Sequence, residues 1–224
     1  FSIGSSGAGA VIDCGSNGSE TATGLVLQGE KLVLGGGSHF CVTRVDSNGQ
    51  LDTSFGTGGF ATRSGGTGDR LVQRADGTLW MVGRIERNRD GGSGTEAVWL
   101  KQTLLTADGA PVASFGTDGE RRDLLPTFGP IRGAALQADG KLLVYFHQLL
   151  RGHLLRLNVD GSLDTSFGTD GLMPLEVRLP LFVTDASNNH LIIVGNTAWV
   201  TDLHLVDVSP SQLRQFMQLL RVEL

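Results

Sequence analysis

Short apolar runs separated by glycine- and aspartate-bearing turns recur along this chain at a period of roughly fifty to sixty residues. Four hairpin patterns stand out: Leu25–Gly36 around Gly29, Leu71–Gly83 around Asp76-Gly77, Ala135–Phe146 around Asp139-Gly140, and Val183–Gly195 around Asn188-Asn189. Asp-Gly and Asn-Asn favour the positive φ that a tight type I′ hairpin turn needs, so each pattern predicts two antiparallel strands. A further run follows each hairpin, at Phe40–Val45, Val98–Leu105, Leu154–Val159 and Leu203–Val208. One more precedes it, as at Gly59–Arg63 and Leu172–Leu179. The count is about four strands per copy, which predicts an all-β fold, a β-propeller or propeller-like array of about four four-stranded blades. The expected copies are 1–58, 59–118, 119–170 and 171–224, within a single repeat domain.

A second motif interleaves with the hairpins: Ser54-Phe55-Gly56, Ser114-Phe115-Gly116 and Ser166-Phe167-Gly168, the phenylalanines 60 and 52 residues apart. The run Leu136-Gln-Ala-Asp-Gly-Lys-Leu-Leu-Val, followed by Leu155-Arg-Leu-Asn-Val-Asp-Gly-Ser-Leu-Asp-Thr-Ser-Phe-Gly-Thr-Asp-Gly171, resembles the delta-60 repeat of bacterial, especially myxobacterial, proteins. The first copy matches well. The second lacks the Leu-Asp pair, and the fourth keeps the hairpin but loses Ser-Phe-Gly. The resemblance implies a propeller architecture and an exported or surface-associated location, extracellular or periplasmic, and it implies no activity.

Composition adds exclusions. A net charge of −5 offers no basic surface to concentrate the chain on nucleic acid. No apolar run approaches the eighteen or so residues that a bilayer-spanning helix needs. The sequence opens at Phe1 without an initiator methionine, which reads as a processed product or a piece of a longer chain. Cys14 and Cys41 are too few for a disulfide framework or a zinc site. One bridge between them and a pair of buried thiols both remain open.

The acidic turns are the most tempting chemistry. Asp46, Asn48 and Asp52, and again Asn158, Asp160 and Asp164, space oxygen ligands at alternate positions around a glycine, as a calcium loop does. The copies favour another account. Arg44 lies eight residues before Asp52, and Arg156 eight before Asp164. The second copy has Leu104 and Val112 at these places, and the fourth Leu205 and Leu213. Joint presence or joint absence fits an Arg–Asp bridge replaced elsewhere by an apolar pair, because losing one partner alone is costly. No metal or cofactor is therefore expected. Each Ser-Phe-Gly reads as a capping serine, an anchoring phenylalanine and a turn glycine, since no Gly-x-Ser-x-Gly elbow occurs. His39, His147, His153, His190 and His204 form no ligand spacing, although His147 and His153 flank one short turn.

Two places depart from the repeat. Arg84–Glu96 is a polar insertion whose Arg84, Arg87, Arg89 and Asp90 offer a rim surface for a partner. At the C-terminus, Ser209-Pro210-Ser211-Gln212 carries helix-start signals, while repeat alignment makes Met217–Leu224 a strand. The function expected is that of a non-catalytic surface scaffold that holds a protein or polymer through its rim loops. A lectin-like glycan binder is the alternative, and a hydrolase or lyase with a central site stands behind both. Homodimerisation that completes the propeller is a further expectation.

Overall fold

The computed structural model describes residues 14, 22–37, 39–88, 95–125, 128–148, 151–178, 190–209 and 212–224, all strand, turn or extended chain. Two compact units divide it, Phe1–Pro126 and Thr127–Leu224. The fold is all-β and of β-propeller type, with two blade-like antiparallel sheets in each unit.

In the first unit, β1 (Ala22–Gln28), β2 (Lys31–Gly36), β3 (Cys41–Val45) and β4 (Phe60–Ala61) form a sheet in that order. A second sheet follows as β5 (Thr67–Gln73), β6 (Leu79–Asn88), β7 (Thr95–Leu105) and β8 (Glu120–Leu124). These are up-and-down meanders, the simplest product of hairpin signals at regular spacing. Strand alternation gives each sheet two apolar faces, and one face of the first packs on the second through Val33, Val42, Phe55, Leu71, Leu79, Met81 and Leu105. Leu71 on β5 lies so close to β1 that a Cβ at Gly24 would fall 2.6 Å from its own. Glycine there admits the neighbouring sheet.

The second unit repeats the plan. Its first sheet comprises β9 (Ile131–Leu136), β10 (Leu142–Gln148), β11 (Arg151–Leu157) and β12 (Leu172–Arg178). Its other sheet has three described strands, β13 (His190–Val194), β14 (Thr197–Ser209) and β15 (Gln212–Glu223). The core joining them contains Leu143, Tyr145, Leu154, Phe167, Leu191, Ala198 and Val200. Leu191 sits on Gly133 of β9 as Leu71 sits on Gly24.

Three places sharpen the sequence reading. The described hairpin of the fourth copy turns at Gly195-Asn196, and Leu191 gives β13 the place of an innermost strand. The turn expected at Asn188-Asn189 lies outside the described residues. The C-terminus is strand β15, paired along β14. Leu220, Val222 and Leu224 pack on the core at every second position, and that burial outweighs the helix-start signals at Ser209–Gln212. The polar insertion is largely a prolonged hairpin: β6 and β7 stay paired out to Asn88↔Thr95.

Cys14 and Cys41 are bridged, their Cα atoms 6.2 Å apart. The disulfide fastens Cys14 to the start of β3. Closing a loop of this length stabilises by about 3–4 kcal/mol in the chain-entropy account.

Candidate functional site

The acidic turns are ion-paired clamps. Arg44 Nε donates to Asp52 Oδ2 at 2.7 Å, and Arg156 Nε to Asp164 Oδ2 at 2.6 Å. Lysine joins each pair, Lys31 at 2.7 Å and Lys141 at 2.9 Å. The other carboxylate oxygen caps the following turn, accepting from Ser54 N–H and Oγ–H in one copy and from Ser166 N–H and Oγ–H in the other. The Lys31 and Ser54 donors, with Arg44, hold Asp52 well below the usual carboxylate range, and Ser166, Lys141 and Arg156 do the same for Asp164. Each carboxylate thus already accepts four hydrogen bonds and has no oxygen in reserve for calcium. Asp46 Oδ1 accepts from the Asn48 and Gln50 amides, Asp160 Oδ1 from Ser162, and Asn158 donates to Ser162 Oγ, so the remaining four residues serve their own turns. Among the described residues no group of three or more His, Cys, Asp or Glu side chains is placed to hold a metal ion.

The second copy keeps the backbone and changes the chemistry. Val112 N–H donates to Leu104 O at 2.9 Å, as Asp52 does to Arg44 and Asp164 to Arg156. Thr78 replaces the lysine and bonds Asp76 instead. In the charged copies the arginine lies over the motif phenylalanine, Arg44 5.1 Å from Phe55 and Arg156 4.5 Å from Phe167. In the second copy Arg74, at the end of β5, stands 4.0 Å from Trp80 and 6.0 Å from Phe115. The cation–π contact survives with a different donor.

The remaining singled-out residues are dispersed. Arg84 lies within β6 and not in a loop, and its Nη1 reaches both oxygens of Asp69 at 2.8 Å while its Nε donates to Glu86. Burial alone would lower the guanidinium, but Asp69 and Glu86 more than offset it and raise Arg84. Arg87 is exposed on the same strand, and Arg89 and Asp90 lie outside the described residues. His147 and His153 do come near one another on β10 and β11. Tyr145 Oη bonds His147 Nε2 at 2.6 Å, and His153 stacks on Phe146 with ring centroids 5.2 Å apart. Both histidines are thereby committed to packing.

Lys101 on β7 was not anticipated. It is fully buried, 4.3 Å from the Phe40 ring centroid, and donates to Ser64 O at 2.8 Å and Gly65 O at 2.9 Å. Glu120 stands 3.8 Å away. Burial pulls the ammonium down to about 8, against the opposing pull of Glu120. A lysine with a depressed folded value is shed of its proton earlier in the folded state than in the unfolded one. Stability is therefore expected to rise as pH climbs from about 8 towards 10.5. Lys101→Met should flatten that rise in urea melts taken at several pH values.

The bends that Lys101 holds lead into a cleft within the first unit. It encloses about 620 Å³ between the Gly56–Arg63 segment, which includes β4, and the Leu105–Pro111 turn, with Cys14 at its edge. Phe60, Leu105 and Pro111 supply apolar wall; Thr57, Thr62, Arg63 and Asp108 supply polar groups. Two devices hold Asp108: its carbonyl accepts the Gly56 amide at 2.7 Å, and its carboxylate meets Arg44 Nη1 at 3.2 Å. Arg63 stands 3.8 Å from Glu120 and its amide donates to His39 O. The cleft draws on two sheets, with residues some fifty positions apart and no motif in common. A hint was nonetheless present: Ser64-Gly65-Gly66 stops β4 after two residues, leaving an unusually short edge strand.

The profile of the family described as "Domain of unknown function (DUF5122) beta-propeller" matches residues 26–55 and 137–167. These are the two copies with a complete Lys–Arg–Asp clamp. Among curated proteins, none matches the sequence. Among solved structures the chain is similar to a GH43 beta-1,3-galactosidase, at 11% identity and a TM-score of 0.47, covering 90% of this chain and 45% of that one. It is also similar to a GH43_1 enzyme from Xanthomonas citri, at 8% identity and a TM-score of 0.44, covering 88% and 73%. The chain thus spans less than half the length of the first. These likenesses concern fold alone. The expectation of a non-catalytic scaffold working through rim loops finds no support in them.

Proposed function

We propose that the chain acts on carbohydrate, with the cleft between Gly56–Arg63 and Leu105–Pro111 as the saccharide site of a glycoside-hydrolysing propeller. The observation that carries this reading is the cleft's mixture of groups. A carboxylate, a guanidinium and two hydroxyls share its wall with Phe60, Leu105 and Pro111. A sugar ring presents the complementary pair, a rim of hydroxyls that accept and donate and a flat face of C–H groups. Glycoside cleavage requires two carboxylates about the scissile bond, one to protonate the leaving oxygen and one to activate water or attack. Asp108 lines the cleft, and Glu120, beside Arg63, is assigned as the second. Export from the cytoplasm belongs to the same reading and is supported by the Cys14–Cys41 disulfide, which an oxidising compartment maintains.

Reducing-end release from a panel of neutral oligosaccharides and aryl glycosides tests it. The proposal expects turnover of at least one substrate, a loss of about 100-fold or more in kcat for Asp108→Asn, and a raised KM for Arg63→Ala. Absence of both turnover and calorimetric binding across the panel overturns it.

A further inference from the structure

Arg63 supplies positive charge to the cleft wall, and its backbone is fixed on both sides. Its amide donates to His39 O at 2.9 Å. Its carbonyl and those of Ser64 and Gly65 accept from the buried Lys101 ammonium at 3.4, 2.8 and 2.9 Å. The side chain is 23% exposed and is held far more loosely. Nε stands 3.8 Å from Glu120 and Nη1 4.0 Å from Asp118, both beyond hydrogen-bond reach. The arginines that serve the fold behave differently: Arg44, Arg84 and Arg156 meet their carboxylates at 2.7, 2.8 and 2.6 Å. Among the described residues no acceptor satisfies the Arg63 guanidinium.

Charge around it is out of balance in the same direction. Arg63, Lys101 and Arg122 surround a single carboxylate, Glu120, at 3.8, 3.8 and 3.3 Å. Asp118 adds a second negative charge, but its side chain is 72% exposed and water screens it. Across the cleft, Asp108 meets Arg44, and Arg44 with Lys31 also balances Asp52. That wall is electrically even, whereas the Arg63 wall keeps one positive charge in excess.

We infer that the cleft prefers an acidic saccharide, with Arg63 as the specificity-determining residue that receives the carboxylate of a uronic acid unit. Such a preference rests on the saccharide reading of the cleft and adds the substrate class to it. A carboxylate is planar and accepts two parallel N–H bonds from a guanidinium, each shorter and stronger than a bond to a hydroxyl. One excess positive charge matches one carboxylate. In a uronic acid that group stands in the ring's rim of hydroxyls, so Thr57 and Thr62 can meet its neighbours while Phe60 meets the C–H face. The backbone of Arg63 is already fixed by Lys101 and His39, which leaves little freedom to lose on binding.

Calorimetry on the full chain with an oligouronide and with its methyl ester tests this, since the two ligands differ in charge and by a methyl group on each carboxyl. The acid is expected to bind at least about tenfold more tightly than the ester at low salt, the range of a charge-assisted hydrogen bond. That advantage should shrink as salt rises from about 20 to 300 mM, because the pair is partly exposed. Arg63→Gln should bring acid and ester to equal affinity and leave the ester nearly unaffected, since the amide still donates to hydroxyls. Arg63→Lys, which keeps the charge without the fork, should retain part of the preference, and it serves if the glutamine variant fails to fold. Equal affinity of the wild type for acid and ester overturns the inference and leaves the saccharide reading standing, as does binding of neutral oligosaccharides without the acid. A preference that survives Arg63→Gln overturns it too. If oligouronide, ester and neutral panel all fail to bind, the saccharide reading falls and the inference falls with it.

Discussion

Asp164→Val is expected to destabilise the protein by about 3–5 kcal/mol, the usual cost of removing one partner from a buried ion pair. Asp164 accepts from Arg156, Lys141 and both donors of Ser166, and Arg156 also covers the Phe167 ring. Without the carboxylate, two cations stay in place with nothing to neutralise them. The second copy shows how the same backbone manages without charge, using Thr78, Leu104 and Val112. The triple change Lys141→Thr, Arg156→Leu, Asp164→Val is accordingly expected to recover most of the loss, ending within about 1–2 kcal/mol of the wild type. Urea unfolding measures both. Acid adds a check on sign. Because Asp164 is held below its ordinary value of 3.8, its contribution is complete above that pH and is lost as pH falls further. The triple variant should show a shallower acid transition. If the single and triple variants proved equally unstable, the clamp would not be a self-contained unit.

Gly116→Ala is expected to cost about 2–3 kcal/mol. Its φ is +59°, and an added Cβ would lie 2.0 Å from Glu120 O. The left-handed backbone alone costs an alanine about 1–2 kcal/mol. The clash would also drive apart the Thr117 N–H···O Glu120 bond of 2.8 Å, worth about 1 kcal/mol more. Gly29→Ala provides the comparison: φ is +62° there, but nothing lies within 4 Å of the new atom. Its cost should stay near the backbone share alone, about 1–2 kcal/mol. The same distinction explains the motif. Two residues further on, Gly58, Asp118 and Asp170 all have positive φ, and Gly58 faces open space, so aspartate is admitted there. At Gly56, Gly116 and Gly168 a carbonyl lies too close for any side chain.

Hairpins, turn chemistry and the repeat period are local properties, and the all-β architecture could be read from them. The Arg–Asp pairing was legible for another reason: the second copy replaces Arg44 and Asp52 with Leu104 and Val112 together. Lys31 and Lys141 belong to the same pattern, with Thr78 as their counterpart, and comparison across copies would have found them. The C-terminal strand was ambiguous because Ser209–Gln212 states a local preference, whereas Leu220 and Val222 answer to a core formed by distant residues. Register in the fourth copy depended likewise on Leu191 meeting Gly133. The cleft was the least visible feature. Asp108 is fixed there by Arg44 and by the Gly56 amide, contacts between two sheets that no spacing in the chain announces.

The most direct test of a carbohydrate site in the first unit is hydrogen-exchange mapping of the full chain with and without a saturating oligosaccharide from the same panel. The account predicts protection confined to two segments, Gly56–Arg63 and Leu105–Pro111, and its loss in Asp108→Asn. Protection located in the Arg84–Asn88 hairpin extension, or absent from both cleft segments, would contradict it.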